Sequence, residues 1–107
     1  MNKIIRVDID ETICINSSDR DYTKAIPNKE RINIINKLYD IGYMIIYWTS
    51  RGSTTKIDWN EFTKNQLISW GCKFHKICCD KPDYHLFICD KAVNSDVFFS
   101  EEFYETL

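Results

Sequence analysis

Three times in this chain a short apolar run stops abruptly at a hydroxyl or a carboxylate. Ile4-Ile5-Arg6-Val7 runs into Asp8 and Asp10, Tyr43 to Trp48 into Thr49, Ser50 and Arg51, and Tyr84 to Cys89 into Asp90. Short β-branched and aromatic runs of this kind read as buried strands. Helical spacing fills the gaps between them. Pro27-Asn28-Lys29-Glu30 opens a helix, Ile32, Ile35, Leu38 and Tyr39 share its inner side, and Gly42 stops it. A second helix runs from Trp59 to Trp70, with Trp59, Phe62, Gln66, Leu67 and Trp70 on one side and Gly71 as its stop. Phe74 to Cys78 makes a third strand and Tyr84 to Cys89 a fourth, while residues 13–26 read as a loop and 91–107 as partly helical. Strands alternating with helices dictate a parallel sheet with right-handed crossovers. The expected architecture is α/β, a three-layer, Rossmann-like parallel sheet flanked by helices.

Composition narrows the class of partner. With 107 residues, 44% of them hydrophobic, and neither repeats nor a linker, residues 1–107 form one domain with one core. The 14 basic and 16 acidic side chains leave a net charge of −2 without a block of either sign, so nucleic acid is disfavoured as a partner. No run approaches the roughly 18 apolar residues that span a membrane. Lys3, Arg6 and Asp8 break any signal-peptide pattern at the start. The expectation is a cytoplasmic protein whose five cysteines are free thiols. Cys72, His75, Cys78, Cys79, His85 and Cys89 crowd one stretch and raise the question of zinc, but no C-x-x-C pair exists and small buried thiols are the simpler reading.

In an open parallel sheet, ligands bind outside the carboxyl ends of the strands. Folding therefore gathers Asp8, Asp10, Thr49 and Asp90 into one crevice, joined by Lys81 from the loop before the fourth strand. Three carboxylates and a lysine suit a magnesium ion and a phosphate together, because acids alone would repel a phosphate dianion. Each residue also has a plainer use. An Asp at a strand end caps helices or forms turns, Thr49-Ser50 caps the next segment equally well, and Lys81 before Pro82 suits a solvated turn. Arg51 is either an anion contact for substrate or a surface charge that starts a helix. Asp80, Asp83, Asp96 and the Glu101-Glu102 pair read as surface charges.

Asp8-Ile9-Asp10-Glu11-Thr12 after an apolar strand resembles the D-x-D-x-T signature of the haloacid dehalogenase superfamily. Thr49, Lys81 and Asp90 resemble its second, third and fourth motifs, in order, across residues 3 to 96. Tyr47 to Gly52, Gln66 to Gly71 and Asp80 to Tyr84 are similar to small phosphatases of capsule and surface-polysaccharide biosynthesis. The resemblance implies a magnesium-dependent hydrolase of a small phosphorylated metabolite, a sugar phosphate above all. Asp8 would be the nucleophile that forms an aspartyl-phosphate, and Asp10 the general acid and then the base. Thr49, Ser50, Arg51 and Lys81 would bind the phosphorylated substrate, with Thr49 and Lys81 also serving catalysis. Asp8, the Asp10 carbonyl and Asp90 would hold the metal.

Two departures from the family pattern matter. Cys89 stands where relatives carry a second acid, which removes a charge beside the metal. There is also no cap domain, so the crevice is open and suits large substrates or a lid from a neighbouring subunit. A homo-oligomer is one outcome, since Ile13, Ile15, Tyr22 and Ile26 in the flap either meet a partner or fold back onto their own domain. The alternatives to a small-metabolite phosphatase are a phosphatase of phosphoproteins or nucleic-acid ends and a weakly active binding domain.

Overall fold

Asp8, Thr49 and Lys81 owe their proximity to the register of a three-stranded parallel sheet. In the computed structural model, which describes residues 3–100 and 102–107, β1 is Ile4–Val7, β4 is Met44–Trp48 and β5 is Lys76–Cys78. β4 lies in the middle, with Val7 opposite Tyr47 on one side and Cys78 opposite Trp48 on the other. Ile45 and Tyr47 are fully buried and Ile46 nearly so, because the central strand is covered on both faces. The three strands run in the same direction, so their polar ends emerge on one edge.

Between β1 and β4 the chain makes a short antiparallel pair, β2 (Cys14–Ile15) with β3 (Ile26–Pro27), and then helix α1 (Lys29–Asp40). The Asn28 side chain caps α1 by accepting from the Arg31 N–H at 3.1 Å. Ile32, Ile34, Ile35 and Leu38 are buried on its inner side. α1 ends when Gly42 N–H donates to the Tyr39 carbonyl and Tyr43 N–H to Leu38, with Gly42 at φ +115°. Helix α2 (Asn60–Ser69) ends the same way, through Gly71 at φ +80° and Cys72 N–H bonded to Leu67. Both are the left-handed terminations that glycine makes without a Cβ penalty. A short helix, α3 (Ser95–Ser100), and a 3₁₀ turn (Phe103–Thr106) complete the chain. Phe98 of α3 packs into the core beside Tyr104.

The structure is thus a small α/β fold, Rossmann-like in its parallel sheet and crossovers, and it corrects three expectations. The predicted strand over 84–89 does not form: the segment has no regular pairing, and Leu86 and Ile88 are 77% and 88% exposed. An apolar run becomes a strand only where a sheet edge meets its N–H and C=O groups, and among the described residues β1 pairs with β4 alone. The loop predicted over 13–26 contains the β2–β3 pair, whose strands of two residues each are too short to show a period. Its flap residues divide: Ile13 is fully buried, while Ile15 and Ile26 are exposed. The third strand begins at Lys76 rather than Phe74. Glu101 lies outside the described residues, and with it the reading of the Glu101-Glu102 pair as a whole. Among those described, no helix is long and apolar enough to cross a membrane.

Candidate active site

Beyond Val7 the backbone leaves the sheet in a tight turn. The N–H groups of Thr12 and Ile13 both donate to the Ile9 carbonyl, at 3.1 and 3.0 Å, and Glu11 sits at φ +63°. A glutamate in the left-handed region is uncommon and marks a turn held by its surroundings. The turn brings Thr12 back over Asp8, where its hydroxyl donates to Oδ2 at 3.3 Å. The other oxygen, Oδ1, faces Lys81 Nζ at 3.4 Å. Burial raises the Asp8 pKa above its ordinary value and outweighs the opposing pull of Lys81. In Lys81 the balance is reversed: burial pulls its pKa down, but Asp8 and Tyr84 together leave it raised.

Lys81 is set in place by backbone and aromatic contacts. Its N–H donates to the Thr49 carbonyl at 3.2 Å, and Thr49 N–H donates to the Cys78 carbonyl at 2.9 Å, so the loop after β5 is sewn to the end of β4. The ammonium lies 5.5 Å from the centre of the Trp48 ring and 5.4 Å from that of Tyr84. Thr49 is 1% exposed. Its hydroxyl oxygen accepts from the Arg51 N–H at 3.1 Å, which leaves the hydroxyl proton as a donor. Ser50 lines the adjoining cleft with Tyr22, Trp59, Asp21 and Asp83.

Arg51 is turned inward. Its side chain is fully buried, with Nη2 donating to Asp10 Oδ1 at 2.7 Å and Nε to Oδ2 at 3.0 Å. Nη1 donates to Gln66 Oε1 at 2.8 Å and Thr63 Oγ1 at 3.3 Å, and the guanidinium stacks 4.4 Å from the centre of the Tyr22 ring. The sequence left Arg51 between a substrate contact and a surface charge, and its burial excludes the surface charge. The network that holds it was missed. Its signal was Gln66 on the apolar side of α2, one turn from Thr63, where a polar side chain needs a buried partner.

Among the described residues, Asp90 forms no hydrogen bond or ion pair with these groups. It is exposed in the unpaired segment, where the Cys89 thiol points to its Oδ1 at 3.8 Å. Among the described residues, no three His, Cys, Asp or Glu side chains gather closely enough to hold a metal ion. Cys14 and Cys72 are buried, and burial pushes their thiols up to about 12 and about 11. Asp96, read as a surface acid, pairs with Arg31 at 2.9 Å and is exposed.

No protein-family model matches the chain, and no curated protein matches it. Its fold is similar to that of a crystal structure of a target protein from Vibrio cholerae, with a TM-score of 0.78 at 22% identity, covering 97% of this chain and 98% of the other. At that identity the likeness shows the fold alone.

Proposed function

We propose that this chain is a phosphomonoesterase that works through an aspartyl-phosphate on Asp8. The observation that carries the reading is the pairing at Asp8: one carboxylate oxygen on Lys81, the other on Thr12, and the buried Thr49 hydroxyl on the neighbouring strand end. A carboxylate so placed can attack phosphorus. Lys81 and Thr49 would meet the charge that builds on the phosphoryl oxygens. Asp10 would give its proton to the leaving oxygen and later take one from water. The Asp8 carboxylate and the Asp10 carbonyl are hard oxygen donors of the kind magnesium takes. The third expected ligand, Asp90, would have to come in from residues 82–94.

The cleft beside Ser50 supports a small, polyhydroxylated leaving group such as a sugar. Tyr22 and Trp59 offer ring faces and edges, and Asp21 and Asp83 offer acceptors for hydroxyl groups. The position of Asp90 supports a second reading, a weakly active or non-catalytic domain. Turnover of p-nitrophenyl phosphate with and without magnesium separates the two. The phosphatase reading expects magnesium-dependent release of phosphate and faster turnover of sugar phosphates than of a phosphopeptide. Purified protein that releases none under either condition overturns it.

A further inference from the structure

We propose that Arg51 is a positioning residue that aims the Asp10 side chain for its work as the base in the second half of the reaction; this rests on the phosphatase reading above. A guanidinium this deep is costly unless its donors are met, and here four of its five N–H groups are hydrogen-bonded. Two go side by side to Asp10, the geometry in which arginine binds a carboxylate most strongly. The other two go to Thr63 and Gln66 on α2, which fix the plane of the fork. Gln66 reaches further: its Nε2 donates to the Tyr22 carbonyl at 2.8 Å, so the flap that carries Tyr22 is tied to the same arginine. Arg51 N–H also bonds the Thr49 hydroxyl. A side chain buried this way cannot reach out to substrate, so it must act through Asp10.

The fork fits one stage of the chemistry better than the other. In the first half, an Asp8 oxygen bonds to phosphorus and the bond to the leaving oxygen breaks. The electron pair goes with that oxygen, which takes the proton of Asp10. Asp10 is then ionised, the form whose two oxygens can accept both fork N–H groups. In the second half, a water oxygen bonds to phosphorus, its proton passes to Asp10, and the bond from phosphorus to Asp8 breaks with its pair returning to Asp8. The water has no other base in the network described here. Aim therefore matters most in this half, and aim is what a two-pronged contact supplies.

p-Nitrophenyl phosphate isolates that half, because its phenolate departs without needing a proton and the proton of Asp10 passes to solvent instead. With this substrate and magnesium in the buffer, Arg51→Lys keeps the charge but loses the fork. It should lower kcat by roughly tenfold to a hundredfold, within the range one general base supplies. The kcat/KM should hold within about twofold, so that KM falls with kcat. Acid-quenched protein should gain one phosphoryl group by intact mass during turnover, where the wild type shows little. Adding Arg51→Lys to Asp10→Asn should cost little more, because the arginine acts through the aspartate. Gln66→Ala leaves Arg51 in place and should give a smaller effect of the same pattern, which carries the test if Arg51→Lys does not fold. Equal falls in kcat and kcat/KM without trapped phosphoenzyme would make Arg51 merely structural and overturn the proposal. A wild type without turnover overturns the phosphatase reading and this role with it, so the two failures are told apart by the wild-type assay.

Discussion

Asp8 is held between burial and a cation, and its pH dependence carries a sign that can be tested. Burial raises its pKa above the ordinary 3.8 despite Lys81 at 3.4 Å. An acid whose pKa is higher in the fold than in the unfolded chain favours the fold below the unfolded value. That contribution is lost as pH rises through the raised value. At neutral pH the ionised side chain therefore costs stability, and Asp8→Asn should melt at a higher temperature than the wild type. The gap should narrow as pH falls toward 3.8. The same variant should lose turnover by roughly a thousandfold or more, since the amide keeps the shape but is no anionic nucleophile. A variant that melts lower at pH 7, or that keeps a tenth of the activity, contradicts this account of the site. Asp8, Thr49 and Lys81 were legible in the sequence because each follows a strand end, and parallel strands bring such ends together. Arg51 was not, because its partners Asp10, Thr63 and Gln66 lie far apart in the chain and only tertiary packing gathers them.

Elements were legible to the extent that each buries a side and meets a partner. α1, β4 and α2 carry periodic apolar positions and glycine stops, and they form within a residue or two of the expected bounds. The run from Tyr84 to Cys89 is apolar and aromatic as β4 is, yet it pairs with no strand, and composition cannot say which run a sheet edge will take up. The contrast between the two runs is measurable. Ile45 of β4 is fully buried and Ile88 is 88% exposed. Ile45→Ala should cost about 2–5 kcal/mol, the range for emptying a packed core position. That is a large share of the roughly 5–15 kcal/mol that holds a domain of this size. Ile88→Ala should stay within about 0.5 kcal/mol, as exposed substitutions do. Urea unfolding of both variants at low micromolar protein tests the pair, and a large loss at Ile88 would place the segment in the core after all.

At the scale of the whole molecule, this small α/β fold leaves apolar surface that its core does not absorb. Leu86, Phe87 and Ile88 are consecutive and all more than half exposed, and Ile15 and Ile26 stand exposed on the β2–β3 pair. Contiguous apolar patches on a monomer mark surfaces that meet something, and a second copy of this chain is the partner always present at high concentration. Burying the three side chains of the run yields roughly 5–9 kcal/mol, at about 1.5–3 each. Association itself costs about 4 kcal/mol or more. The difference, up to about 5 kcal/mol, would leave at most a weak dimer, with a Kd no tighter than about 0.2 mM. Sedimentation equilibrium should then give an average mass near the 12.7 kDa monomer in dilute solution and a rising one at several hundred micromolar. Leu86→Ser combined with Ile88→Ser should remove the rise without moving the thermal melt measured in dilute solution. A wild type that stays monomeric at the highest concentration excludes this patch as an interface. A double variant that still associates moves the interface to Ile15 and Ile26.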